Sequence, residues 1–215
     1  MRRLWNDLLR LLIHAYPDAA RHVESSEIQV FDALDRLYRD SSRSYHTWSH
    51  IRFCLKLVGS CSLGYDLSVR TALWFHDAVY EPTRADNETR SAALAVESLK
   101  QFCIPADFVD KTRELIMATA HLTGGDTDRT PEQACIHDID LAILGSSRRL
   151  FYLYERRIRR EYYHLVDTVY RSRRTEVLRL FLSRPRIYVT DQLASRFETQ
   201  ARKNLARLIE RLRDE

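Results

Sequence analysis

The sequence predicts an all-α fold with one domain spanning residues 1–215, and three observations carry that expectation. Five glycines and five prolines punctuate 215 residues, too few for a fold of many short strands. Apolar residues recur at intervals of three and four, as in Leu4, Leu8, Leu9, Leu11 and Leu12. The length and a 45% hydrophobic share suffice for one sizeable core.

The elements follow in order. The first helix carries the leucines above and ends before Pro17, which cannot continue it. A second is expected to open at Ser25 or Ser26, with Ile28, Phe31, Leu34 and Leu37 as its buried stripe. After the polar loop 40–44, helices are expected over 48–58 and 66–79, separated by Gly59 and Gly64. A loop over 81–86 leads to helices over 87–99 and 106–121. Gly124-Gly125-Asp126-Thr127-Asp128 reads as the most flexible loop. Helices over 131–144, 148–169, 174–182 and 190–212 complete the chain.

A net charge of +4 suits small anionic substrates and does not by itself argue for nucleic acid. The run Arg156-Arg157-Ile158-Arg159-Arg160 reads as a solvated helix face. Cys54, Cys61, Cys103 and Cys135 show no CxxC spacing and read as free thiols of a reducing compartment. The first helix is too interrupted for a signal peptide, and no window approaches a membrane span. A cytoplasmic location is expected.

Metal-ligand residue types are scattered through this pattern. His46 and His50 stand four apart, on one helical face. His76-Asp77 ends the apolar run Leu73-Trp74-Phe75, where a carboxylate opposes the helix dipole unless a cation compensates. Asp138 and Asp140 lie about 200° apart on a helix, so one is expected as a ligand and the other as a supporting or capping group. His121 ends an apolar helix, and Asn87-Glu88 serves equally as a helix start or a pocket edge.

In order, His50, His76-Asp77 and Asp140 resemble the H…HD…D signature of the HD superfamily of metal-dependent phosphohydrolases. The likeness is closer to its small bacterial members of unknown substrate. It extends through Arg43-Ser44-Tyr45-His46, Asn87-Glu88, Ala120-His121, Asp138-Ile139-Asp140-Leu141, Ile158-Arg159 with Glu161-Tyr162, Arg186-Ile187-Tyr188 and Ala201-Arg202 with Asn204.

The resemblance implies an all-α HD-type bundle, with His50, His76, Asp77 and Asp140 as metal ligands and Asp138 as a rival to Asp140. It implies a divalent ion among Mn, Fe, Co, Ni, Zn and Mg. The implied activity is hydrolysis of a phosphate ester, in a nucleotide or other small phosphorylated metabolite, by metal-activated water. His46 or His121 would protonate the leaving oxygen, Arg43 or Arg159 would hold the phosphoryl group, and Glu88 would orient water. The glutamine clamp of cyclic-nucleotide phosphodiesterases is missing. Two alternatives remain open: a catalytically silent scaffold that senses metal or nucleotide, and an RNA- or acidic-protein-binding chain.

Overall fold

The computed structural model describes residues 1–61, 63, 66–121 and 129–214. Gly64 and the Gly124–Asp128 loop lie outside the described residues. Ten α-helices run as α1 (Arg2–Ala15), α2 (Ala20–Tyr38), α3 (Trp48–Leu57), α4 (Leu67–Phe75), α5 (Asn87–Gln101), α6 (Ala106–Met117), α7 (Pro131–Leu141), α8 (Arg148–Glu161), α9 (Asp167–Ser183) and α10 (Asp191–Asp214). No strand occurs among the described residues, so the fold is all-α as expected. None of these helices is long and apolar enough to cross a membrane.

Local chemistry sets the boundaries. Asp66 caps α4 by accepting from the backbone N–H of Ser68 and Val69 at 2.8 and 3.2 Å. Thr130 and Gln133 form a capping box at α7, with Pro131 in the first turn. The α5 terminus closes with Cys103 N–H on the Lys100 carbonyl and Ile104 N–H on that of Leu99. That closure holds Cys103 at φ 54°, a conformation usually left to glycine.

Several expected boundaries move. α2 opens at Ala20, directly from the 3-10 turn Pro17–Ala19, and not at the serines; Ser25 lies inside it with its hydroxyl donating to the His22 carbonyl. Ile28 is consequently 58% exposed, while Val23, Val30, Phe31, Leu34 and Tyr38 are buried. The expected helix over 148–169 breaks after Glu161. Arg159 caps the break, donating to the carbonyls of Tyr162 and Leu165 at 2.9 and 3.1 Å. The helix over 66–79 stops at Phe75, which leaves His76 as its cap and Asp77 beyond it.

One continuous apolar core runs from Trp5 to Ile209. Behind the site, Trp5 packs edge-on against Trp74 with ring centroids 5.2 Å apart, and Tyr38 donates to the Trp74 carbonyl at 2.9 Å. These contacts fix α4 against α1 and α2. On the other side, Gly145 lies so close to α10 that an added Cβ would sit 2.5 Å from the Phe197 Cβ. Asn204 Nδ2 donates to the carbonyls of Leu144 and Ser146 at 2.8 and 2.9 Å, and Tyr188 donates to that of Leu141 at 3.0 Å. The end of α7 is thereby anchored.

Candidate metal centre

α3 supplies His50, the end of α4 supplies His76 and Asp77, and α7 supplies Asp140. His50 Nε2 lies 3.1 Å from His76 Nε2, 3.1 Å from Asp77 Oδ2 and 3.0 Å from Asp140 Oδ1. His76 Nε2 lies 3.2 Å from Asp77 Oδ2 and 3.5 Å from Asp140 Oδ1. Four donor atoms, from α3, from the two residues that follow α4 and from α7, therefore converge on one point.

These separations suit a shared ion. With metal–ligand bonds of about 2.1 Å, neighbouring ligand atoms stand about 3.0 Å apart in octahedral and about 3.4 Å apart in tetrahedral geometry. The His76 Nδ1–H donates to the Leu73 carbonyl at 3.1 Å, which leaves Nε2 as the lone-pair nitrogen facing the cluster. Both imidazoles are buried, while the side chains of Asp77 and Asp140 keep 18% and 14% exposure toward solvent.

The electrostatics make the same demand. Burial opposes ionisation of Asp77 and Asp140, yet His76 and the other surrounding imidazoles hold both well below the usual carboxylate range. Burial also opposes a charge on His50 and His76. Cys54, Tyr45 and the two carboxylates around His50, and the same carboxylates around His76, nonetheless push both well above the ordinary histidine value. The carboxylates thus favour positive charge at the shared focus. Two protonated imidazoles 3.1 Å apart would set N–H against N–H, whereas a divalent cation meets the demand with both lone pairs turned inward.

The cluster is a candidate metal centre.

Cys54, which the sequence reading passed over as a ligand type, stands one helical turn after His50 on α3. Its Sγ, with donor atoms of His50, His76 and Asp140, forms a group whose members all lie within 4.8 Å of one another. The sulfur sits 3.7 Å from both ring nitrogens of His50, beside the ring rather than along a lone pair. Asp77 Oδ2, in contact with both Nε2 atoms, is the better fourth donor. The signal for Cys54 was its i,i+4 spacing from His50.

The structure separates the two rival aspartates. Asp140 is in the cluster. Asp138 is fully buried and accepts from the N–H of Val189 at 2.8 Å, the N–H of Thr190 at 2.6 Å and the Thr190 hydroxyl at 2.7 Å. It fastens the start of α10 and lies outside the cluster, in keeping with the roughly 200° between the two positions.

The other expected residues divide likewise. His46 faces a cavity of about 480 Å3 that opens on Asp77 and Asp140. Its ring stacks on Tyr80 with centroids 3.7 Å apart, and its Nδ1 is 2.7 Å from Glu161 Oε2. His121 lines the same cavity and its Nε2 is 2.7 Å from Asp140 Oδ2. Glu88, from the first turn of α5, lines it too.

Arg43, expected as a phosphoryl clamp, spends its terminal nitrogens on backbone carbonyls. Its guanidinium donates to the carbonyls of Asp77 and Ala78 at 2.7 Å each and to that of His46 at 3.3 Å, tying the two ligand-bearing turns together. Arg159 is engaged in capping α8. The arginines that do line the cavity are Arg84, Arg173 and Arg174, none of which the sequence pattern singled out. Arg174 is held by Glu155 and by the Tyr154 hydroxyl, while Arg173 is exposed at the cavity edge.

Glu161 is the most consequential residue that sequence reasoning left without a role. Its Oε1 accepts the consecutive N–H groups of Ser44, Tyr45 and His46 at 2.7, 2.7 and 3.0 Å. Burial opposes its charge, but His46 and these donors keep its carboxyl below the usual range. An ionised Glu161 accepts the His46 Nδ1–H and turns the ring's Nε2 to the cavity. Compared with known proteins, the chain matches no protein-family profile, no curated protein and no solved structure.

Proposed function

We propose that the chain is a metal-dependent phosphohydrolase acting on a nucleotide or other small phosphorylated metabolite, with His50, His76, Asp77 and Asp140 holding the ion. The observation that carries this reading is the convergence of four donor atoms at 3.0–3.5 Å, with Asp77 and Asp140 of that group lining a cavity of small-molecule size. A divalent ion there would supply Lewis acidity toward a phosphoryl oxygen and make water a nucleophile near neutral pH.

The chain's own residues do the rest. His46, held by Glu161, presents Nε2 to the cavity and delivers a proton to the leaving oxygen. Arg173 is the cation at the cavity edge suited to spread phosphoryl charge, and Arg174 sets a fixed positive field behind Tyr154. His121 orients Asp140 through its Nε2. Glu88 faces the same space and is the carboxylate placed to orient water. Tyr45, Tyr80, Tyr154, Tyr162 and Tyr170 line the cavity and limit access of bulk water.

The test is a panel of nitrophenyl phosphate mono- and diesters and nucleotides, each with Mn, Fe, Co, Ni, Zn or Mg. Metal-dependent turnover that vanishes in Asp77→Ala supports the reading. Metal binding without turnover of any phosphate ester points instead to a silent scaffold.

A further inference from the structure

Arginine is concentrated in α8 and α9. Residues 148–183 hold ten of the chain's 34 basic residues but only four of its 30 acidic ones, so acids outnumber bases in the rest of the chain. Three of those four acids are already engaged: Glu155 by Arg174, Glu161 by His46 and three backbone N–H groups, and Asp167 by Arg159 and Arg171.

Seven arginines are left over, and one of them, Arg148, stands over the Tyr152 ring. Arg149, Arg156, Arg157, Arg160, Arg173 and Arg179 have no ion pair or hydrogen bond among the described residues, and all but the half-buried Arg157 are exposed. Elsewhere exposed arginines are divided, some answered by an acid, as in Arg39–Asp35 and Arg84–Asp86, and others, such as Arg3, Arg21 and Arg52, standing singly on different elements. An unanswered cluster of this kind raises local potential and attracts a polyanion.

Its arrangement narrows the polyanion. Arg149, Arg156 and Arg160 are spaced by seven and four, which sets them in one stripe along α8. The stripe ends at the turn that joins α8 to α9. Tyr163 is 76% exposed in that turn, while Tyr162 and Leu165 beside it line the cavity that Arg173 also edges. A row of guanidinium groups meets the spaced phosphates of a backbone, and an exposed ring next to the row offers a face for a base. Unpaired bases alone can use such a ring, so a single strand fits and a duplex does not.

We propose that the α8–α9 face binds single-stranded nucleic acid, with phosphates along the arginine stripe, a base on Tyr163 and a strand end at the cavity mouth.

The experiment is fluorescence anisotropy of a short labelled oligouridylate with the full chain, in excess chelator. Binding is then read apart from catalysis, and a failed phosphohydrolase assignment leaves it untouched. Four phosphate contacts predict that log K falls with log salt at a slope of about −3. The triple variant Arg156→Glu, Arg160→Glu, Arg173→Glu should bind at least tenfold more weakly with a shallower slope. Tyr163→Ala should weaken binding severalfold and leave the slope unchanged, because stacking releases no counterions. A control triple with the same charge change, Arg3→Glu, Arg21→Glu, Arg52→Glu, should stay within about twofold.

Absence of binding at about 50 mM salt, where such contacts are strong, would overturn the proposal. So would equal losses in the two triples, which mean attraction to net charge alone. Tighter, arginine-dependent binding to phosphatidylserine vesicles than to the oligonucleotide would assign the face to a membrane surface instead.

Discussion

Glu161 binds His46 twice over: Oε2 lies 2.7 Å from the ring Nδ1, and Oε1 accepts the backbone N–H of the same residue at 3.0 Å. One buried carboxylate thus fixes both the ring and the turn that carries it. Glu161→Gln keeps an acceptor for the turn but offers its amide to Nδ1, which favours the wrong tautomer. Turnover should fall by about 10–100-fold with an altered pH profile and unchanged metal content. Glu161→Ala leaves three backbone donors without a partner and should cost about 3 kcal/mol of stability or more. Steady-state kinetics across pH and denaturant unfolding test the pair; normal turnover and pH profile in Glu161→Gln would deny Glu161 its positioning role.

Asp138 is expected to matter for stability rather than for metal binding. Asp138→Ala strips the acceptor from two backbone N–H groups and a hydroxyl at the start of α10, and should destabilise by about 2–4 kcal/mol. Metal bound per chain should stay at the wild-type level, measured on folded protein. Selective loss of metal without loss of stability would place Asp138 among the ligands.

Gly145 is needed for close approach and not for backbone freedom, since its φ is not positive. Gly145→Ala drives a methyl into the Phe197 backbone and Cβ, so the 142–145 turn must separate from α10. The expected loss is about 1–3 kcal/mol in urea unfolding. A variant as stable as wild type would show that the α10 contact yields freely.

His137 gives a pH dependence with a definite sign. Burial, against the pull of its hydrogen-bonded neighbour Asp138, lowers its pKa from 6.5 to about 4. Between those values the unfolded chain binds a proton that the folded chain refuses, so stability is complete above about pH 6.5 and drains away as pH falls toward 4. At pH 5 this single group should remove about 2 kcal/mol relative to pH 7. The pH 7-to-5 difference in unfolding free energy should shrink by about that amount in His137→Gln; an identical difference in both chains would refute the assignment.

The fold class was legible because helical spacing and scarce Gly and Pro act locally. Boundaries set by tertiary contacts were not. Nothing in 148–169 announces that Arg159 will turn back to cap its own helix, or that Ser25 will sit quietly inside α2. The convergence of His50, His76, Asp77 and Asp140 was legible as an ordered pattern of ligand types, and the angular offset of Asp138 from Asp140 already required different roles. The partners of Arg43 were not legible, since they are carbonyls that no sequence pattern displays. Glu161 was hidden for the same reason, since most of its partners are backbone groups more than a hundred positions away.

Whether His50, His76, Asp77 and Asp140 hold an ion is decided by metal stoichiometry, measured by mass spectrometry on chelator-free wild type, Asp77→Ala, Asp140→Ala and Cys54→Ala. Near one transition-metal ion is expected per wild-type and Cys54→Ala chain, with loss of that ion in both aspartate variants while each remains folded. Metal absent from folded wild type even after supplying Mn, Zn or Ni, or metal fully retained in both aspartate variants, would contradict that assignment.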